Sequence, residues 1–272
     1  CLCDTVTQPL LRTFSVYCRQ QFGRTIGKIP LDLGFPCPNR LRGGCIFCRS
    51  ASFTPSCLQR RDAIGDQLAA GKEHLLRGRF KKYFAYLQQE TCTALPVPAL
   101  LPILRQLLAA SDCVGLILST RPDYVADELL QPLADLIRQT GKECLFELGV
   151  QSVHERSLLL LNRNHGFAEF VDAAGRIRTA GCFALGAHLL FGIPGESLED
   201  MLFSLKTICA LGVTHLKLHH LQVIRGTPLA ELYEAGKVQL FTREEYLDFL
   251  LAALQIITDE VTPCECTIPL TQ

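Results

Sequence analysis

Residues 144–150 read CLFELGV, a run in which one carboxylate sits among apolar side chains. A strand with one wet face alternates apolar and polar residues. This run does not alternate, so it reads as a strand buried on both faces, as in a parallel sheet. Glu147, if buried there, must be paired or hydrogen-bonded. Similar continuous runs stand on either side: TIGKIPLDL (25–33), KYFAYLQ (82–88), VGLILST (114–120), ALGAHLLFGI (184–193) and THLKLHHL (214–221).

Between these runs the apolar spacing changes to that of helices. The clearest helix follows Gly195: Ser197 caps it with Asp200 three positions on, Leu198, Leu202, Leu205 and Ile208 form one stripe, and Gly212 follows its end. Others are predicted over 59–80, 97–110, 126–140, 167–180 and 242–257, with Gly141 and Gly181 as stops. Six strands alternating with six helices give parallel strands joined by right-handed crossovers. The count is too low for a closed eight-stranded barrel. The expected fold is therefore α/β, a partial (β/α)6 TIM-like barrel with outer helices. Residues 12–260 form this core, with 1–11 and 261–272 as irregular or truncated termini.

At 272 residues, with 48% apolar and 20% charged side chains, the chain has material for one large core. Its 27 basic and 27 acidic residues cancel, so no global field favours nucleic acid or an anionic membrane. The N-terminal stretch lacks the continuous apolar segment of a secretion signal, and no uncharged apolar run is long enough to cross a bilayer. Fourteen cysteines in so large a chain then point to a reducing, cytoplasmic setting and mostly free thiols. A trimmed start is expected, because the first residue is Cys1 and not methionine.

Residues that do not belong in a core gather after the strands. Gln88 ends the second strand; Thr120, Arg121 and Asp123 end the third; Gln151 and Ser152 end the fourth. The fifth carries His188 and runs into Gly192-Ile193-Pro194-Gly195, while the sixth ends in His219 and His220, of which alternation with Lys217 and Leu221 turns His219 inward. In parallel α/β architectures these ends meet at one face, where sites are built. The first strand leads there to CPNRLRGGCIFC (37–48), with three cysteines in twelve positions. Spacing alone leaves two answers. Cys37, Cys45 and Cys48 could join a fourth thiol, from Cys57, Cys1 or Cys3, in a closed zinc site. They could instead hold an iron–sulfur cluster with one iron left open, the reading the missing second knuckle favours. The scattered Cys18, Cys92, Cys113, Cys144, Cys182 and Cys209 read as small apolar residues.

The set GFPCPNR, GGCIFC, YLQQETCT, STRPDYV, ELGVQS, LNRNH and HLLFGIPGE, in this order, resembles the radical S-adenosylmethionine (radical SAM) superfamily. It is most similar to a bacterial subfamily of unassigned function akin to the catalytic domain of the Elongator subunit. The resemblance implies a [4Fe-4S] cluster on Cys37, Cys45 and Cys48, with S-adenosyl-L-methionine on the fourth iron. It implies reductive cleavage to a 5′-deoxyadenosyl radical and hydrogen abstraction from a substrate. Gln88 then receives the cofactor's ammonium, Arg163 pairs with its carboxylate, and Glu147 and Gln151 lie near the ribose. The FGIPGE turn with Ile193 edges the adenine, while Arg121 and His188 belong to the same pocket. An electron donor such as flavodoxin or ferredoxin is implied. The Elongator likeness brings RNA forward as a substrate class, although the balanced charge lends it no support. The loop from Cys37 to Cys45 is shorter than the subfamily's usual form, and CECTIPLTQ does not resemble its continuation. Those departures keep one rival open: a zinc- or cluster-stabilised non-catalytic binding protein on the same barrel.

Overall fold

The computed structural model describes residues 12–49, 52, 54, 62–258 and 261–266. Seven strands lie in one sheet, β1 (Gly27–Leu31), β2 (Tyr83–Leu87), β3 (Cys113–Thr120), β4 (Glu143–Gln151), β5 (Ala184–Phe191), β6 (His215–His220) and β7 (Thr262–Cys266). Their spatial order is their chain order, and every neighbouring pair is parallel. A sheet that only ever adds its next strand on the same side, through right-handed crossovers, keeps its helices on one face and curls away from them. The result is the expected partial barrel with outer helices.

Among the outer helices, α2 (Ile64–Gly71), α3 (Val97–Ala109), α4 (Asp127–Thr140), α6 (Phe167–Ala180), α7 (Leu198–Ala210) and α9 (Arg243–Leu254) correspond to the six predicted segments. The short helices α5 (Glu155–Leu160) and α8 (Pro228–Glu234) fill connections. Residues 59–61 of the first predicted helix lie outside the described residues, and its last turn, Lys72–Leu76, widens to π geometry. The cap of α7 forms as expected: Ser197 Oγ accepts from Asp200 N at 3.2 Å, and Asp200 Oδ2 accepts from Ser197 N at 2.9 Å.

One strand departs from the sequence reading. The segment after Val261, expected to be irregular, begins with β7, which pairs with β6 from His215↔Thr262 to Leu218↔Cys266. As the outermost strand it tolerates Pro263, whose missing N–H a central strand could not spare. Residues 1–11 and 267–272 lie outside the described residues.

Alternation along each strand sorts its residues between helix layer and barrel interior. Tyr83, Ala85, Leu87, Leu116, Leu118, Phe146 and Leu148 join the outer core, while Phe84, Tyr86, Ile117 and Leu145 turn inward. Helix α1 (Phe14–Phe22) lies against β7 and seals one end of the interior. Phe14 and Phe22 meet Phe84 at ring distances of 5.9 and 5.7 Å, and Tyr17 stands edge-on to His215 at 4.9 Å. Tyr17 also donates to Glu143 at 2.5 Å, which fixes the plug to β4.

The sheet leaves no room at Gly115. A methyl group there would stand 2.2 Å from the Glu143 carbonyl oxygen. Backbone on the paired strand cannot rotate aside, so Gly115→Ala is expected to destabilise the fold by about 3 kcal/mol. Denaturant unfolding measures this; an unchanged midpoint would show that the two strands can separate there. Among the described residues no helix is long and apolar enough to cross a membrane.

Candidate active site

The loop after β1 turns back on itself immediately after its first thiol. Cys37 precedes a short 3₁₀ turn, Pro38–Arg42, closed by Gly43 and Gly44. Both glycines have positive φ, 89° and 73°, which a side chain would strain. This tight return brings Cys45 and Cys48 to the same cavity mouth as Cys37. Between the last two thiols, Ile46 and Phe47 pack on a small apolar cluster of Leu161, Leu190, Ile193, Leu221 and Leu229.

Two other segments lock the loop. From the end of β2, Glu90 accepts from Cys37 N at 3.2 Å and takes Arg40 through both oxygens, at 2.9 and 3.1 Å. From the LNRNH stretch, Asn162 donates to the carbonyls of Arg42 and Gly44 at 3.0 and 2.7 Å, and Leu161 O accepts from Ile46 N at 3.1 Å. Asn39 and Asn164 join in: Asn39 Nδ2 donates to Asn162 O at 2.8 Å, and Asn164 Nδ2 to Asn39 Oδ1 at 2.9 Å. Asn162 and Asn164 both take φ of 52°, a conformation asparagine accepts more readily than most residues. Three polar groups then point at the sulfurs. Asn39 Nδ2 and Arg163 Nη1 reach Cys45 Sγ at 3.3 and 3.2 Å, and Thr91 Oγ1 reaches Cys37 Sγ at 3.2 Å.

The three thiols open on a cavity of about 390 Å³ at the carboxyl ends of the strands. Gln88, Arg121, Gln151, Arg163 and His188 line it, as the sequence predicts. Glu147 and Ile193 do not. Ile193 is 2% exposed and supports the CIFC segment from below, so its side chain is part of the seat of the loop. Glu147 is 1% exposed and lies one layer beneath the cavity wall.

That layer is ionic. Glu147 Oε2 accepts from Tyr86 at 2.8 Å and meets His188 Nε2 at 3.0 Å and Lys217 Nζ at 3.2 Å. Lys217 Nζ also donates to Tyr86 Oη. Burial pushes the Glu147 carboxyl up, but Lys217, the His188 hydrogen bond and Lys28 together outweigh it and hold the group well below the usual carboxylate range. Burial and the Glu147 charge raise Tyr86, so its hydroxyl stays a donor. Tyr86, His188, Lys217 and His219 form the cavity floor. His219 does turn inward with Lys217, its ring 5.5 Å from that of His188, whereas His220 packs on Tyr246 of α9 at 4.8 Å.

The two arginines on the wall are held differently. Arg121 makes a bidentate pair with Asp123, both distances 2.9 Å, and its Nη1 is buried without a hydrogen-bond partner among the described residues. Arg163 reaches no carboxylate there. It donates through Nη2 to Gly149 O at 2.6 Å and to His165 Nε2 at 2.9 Å, and its Nε has no partner among the described residues.

Sequence reasoning missed Tyr86, Glu90, Asn39, Asn162, Asn164 and His165, and saw Lys217 only as a guide to alternation. The paired asparagines beside Arg163 were the available signal. Among the described residues no group of three or more His, Cys, Asp or Glu side chains converges on a point that could hold a single metal ion. Three thiols set around one mouth, with polar donors on two of the sulfurs, fit a sulfur-ligated group. Cys57, Cys1 and Cys3, which a closed zinc site would draw on, lie outside the described residues. The remaining described cysteines are free; Cys18, Cys92, Cys113 and Cys144 are buried, and Cys182 and Cys209 are partly so.

Comparison with known proteins agrees with this geometry. Residues 37–208 match the family model of the radical SAM superfamily, and residues 213–262 match the radical SAM C-terminal domain. The uncharacterized protein YtqA of Bacillus subtilis is 34% identical over 260 residues, covering 94% of this chain and 80% of YtqA. A tRNA uridine(34) acetyltransferase of Methanocaldococcus infernus is 28% identical over 152 residues, 55% of this chain but 27% of that protein. The solved structure of Methanocaldococcus infernus Elp3 lacking its N-terminus superposes with a TM-score of 0.65 at 18% identity, covering 89% of this chain and 59% of that one. At that identity the likeness is one of fold.

Proposed function

This chain belongs to the radical SAM superfamily, and from that premise we propose that it reductively cleaves S-adenosylmethionine to take a hydrogen atom from a substrate. It is an enzyme, and its cofactors are a [4Fe-4S] cluster and S-adenosyl-L-methionine. When bound, they supply one electron to the sulfonium and a 5′-deoxyadenosyl radical to the substrate. The catalytic unit is the barrel from residue 12 onward. Cys37, Cys45 and Cys48 hold the cluster, and Asn39, Thr91 and Arg163 donate to their sulfurs. Gln88 and Gln151, both lining the cavity, receive the ammonium and ribose hydroxyls of the cofactor in this reading. Arg121, also lining the cavity, keeps an N–H without a hydrogen-bond partner among the described residues. Tyr86, His188, Lys217 and His219 set the floor on which the substrate rests, and Glu147 orients three of them from behind.

One observation carries this function: three thiols and two buried guanidinium groups share a single cavity whose rear wall is a paired ionic layer. A binding module has no use for such buried charge around sulfur. The free cysteines suit a reducing compartment, and we place the enzyme in the cytoplasm with a low-potential carrier such as flavodoxin or ferredoxin as reductant. RNA is the first substrate class to try. The Elongator likeness favours it, and Arg42, Arg49 and Arg225, all exposed near the mouth, offer charge for phosphates.

The test is anaerobic reconstitution with iron and sulfide, reduction with dithionite, and addition of S-adenosylmethionine. Methionine and 5′-deoxyadenosine should appear in equal amounts. A four-iron cluster that yields neither product overturns the cleavage. With cleavage in hand, deuterium exchange between the adenosyl product and a cellular RNA fraction decides whether RNA is the hydrogen source.

A further inference from the structure

We propose that the segment from Leu221 to Leu229, between β6 and α8, is a strap seated on the cysteine loop, and that this wall of the cavity is held in place only when the cluster is bound. Ile46 is the positioning residue that connects the two. The inference rests on the proposed function, because it takes the three thiols to hold the cluster. Leu221, Gln222 and Ile224 line the same cavity as Cys37, Cys45 and Cys48. The near end of the strap is fixed to the sheet, with Leu221 N donating to Phe191 O at 2.8 Å. Its far end is stitched to itself and to the start of α8: Thr227 Oγ1 donates to Ile224 O at 2.7 Å, and Thr227 O accepts from Ala230 N at 2.9 Å. Among the described residues, only the cysteine loop joins that far end by hydrogen bonds to another part of the chain. Leu229 N donates to Ile46 O at 3.0 Å, and Arg49 Nη1 donates to Arg225 O at 2.9 Å.

Ile46 stands between Cys45 and Cys48, and its backbone is used on both sides: Ile46 N donates to Leu161 O at 3.1 Å, while Ile46 O accepts from the strap. Its side chain and that of Phe47 pack on Leu161, Leu190, Ile193, Leu221 and Leu229, a cluster separate from the outer core. Leu221 and Leu229 are both buried, so the two ends of the strap meet in that small cluster. A few apolar side chains hold together only while each is in place, since any one that leaves exposes the faces of the others. The two halves of the cysteine loop are supported differently. Glu90 and Asn162 hold the first half, from Cys37 to Gly44, without any metal. The second half carries two of the three thiols, and a cluster bound to Cys45 and Cys48 fixes Ile46 and Phe47 at both ends. Without it that half loses its anchors, and the strap loses its seat. Such coupling passes through residues in contact and is reciprocal: a cluster that orders the strap is itself held more tightly by it.

The test is hydrogen exchange read by mass spectrometry on the full chain, once with its cluster reconstituted and once stripped of iron and sulfide, both without oxygen and without S-adenosylmethionine. Amides of residues 222–230 should exchange about tenfold or more faster in the stripped protein, while those of β3 and β4 stay protected. Cluster-loaded Ile46→Ala should carry wild-type amounts of iron and sulfide yet show the fast exchange over 222–230, and Ile46→Val should restore most of the protection. The reciprocal measurement uses Leu229→Ala, which leaves the cysteine loop untouched: loaded protein should give up its iron at a chelator concentration about fivefold or more below that needed for wild type. Exchange over 222–230 that is the same with and without the cluster overturns the proposal. So does a loaded Ile46→Ala protein whose strap is as protected as in wild type, or a Leu229→Ala protein that keeps its iron equally well. Faster exchange throughout β3 and β4 in the stripped protein overturns it too, because the cluster would then support the whole barrel. Should Ile46→Ala assemble no cluster, the Leu229→Ala comparison decides. Wild-type protein that takes up no iron and sulfide removes the function itself; a bound cluster to which the strap is indifferent removes this proposal alone.

Discussion

Cys48→Ala is expected to abolish S-adenosylmethionine cleavage and to empty the protein of iron and sulfide, with the fold intact. On the proposed assignment the three thiols hold a cluster that leaves one iron for the cofactor, so removing one leaves two ligands where three are required. Cys48 stands on the loop at the mouth, away from the outer core, and its loss creates no cavity there. In the metal-free protein burial, followed by the neighbouring Cys45, pushes its thiol up to about 11. Assembly must therefore displace protons, and iron loading should weaken as the buffer is made more acidic. Cys144→Ala is the matched comparison. That thiol is 2% exposed in the outer core, so its loss should cost about 1–2 kcal/mol of stability and no iron. Iron and sulfide analysis alongside denaturant unfolding separates the two. Four irons retained in Cys48→Ala would mean that the cluster sits elsewhere.

That comparison also shows which features a sequence can carry. The strands were legible because burial on both faces erases alternation, and CLFELGV or VGLILST then has few other readings. The thiols were legible because three in twelve positions have no packing explanation. Gln88, Arg121, Gln151 and His188 were legible by position, since strand ends on one edge of a parallel sheet must share a face. What escaped depends on partners far away in the chain. β7 contains Pro263 and charged Glu265, and only pairing with β6 makes it a strand. Helix α1 has no sharp apolar stripe; its aromatic residues find their place only because the barrel end they cover is lined by Phe84 and His215.

The ionic layer shows the same limit. Glu147 could be recognised as needing a partner, but the partner could not be chosen from sequence. The register places Glu147 opposite Gly186, and Gly186 opposite His215, with His188 next to Lys217. Gly186 has no side chain, and a methyl group there would stand 3.3 Å from Glu147 Cγ. The gap over this glycine is what allows a β4 carboxylate to meet a β6 ammonium across the intervening strand.

Breaking that pair is expected to destabilise the fold strongly. Glu147→Gln keeps the shape but leaves Lys217, 3% exposed, as a buried cation without its anion. Removing one partner of a buried pair costs about 3–5 kcal/mol. Replacing both, as Glu147→Leu with Lys217→Leu, should cost less than the sum of the single changes, because no charge is then left unpaired. The acid limb of stability gives a second readout. Glu147 is held well below its ordinary value of 4.5, so its charged form favours the folded state. A carboxylate depressed in this way contributes stability that is fully present above its unfolded pKa and is lost as the pH falls toward the folded one. Wild type should thus lose stability progressively below about pH 4.5, and Glu147→Gln should lack that share of the slope. Cluster content should survive in the variant at neutral pH, because no ligand is touched, while S-adenosylmethionine cleavage falls as Tyr86, His188 and Lys217 lose their common acceptor. An unfolding midpoint and acid limb identical to wild type would mean that Lys217 finds another counter-charge, and that the layer beneath the cavity is not held together by Glu147.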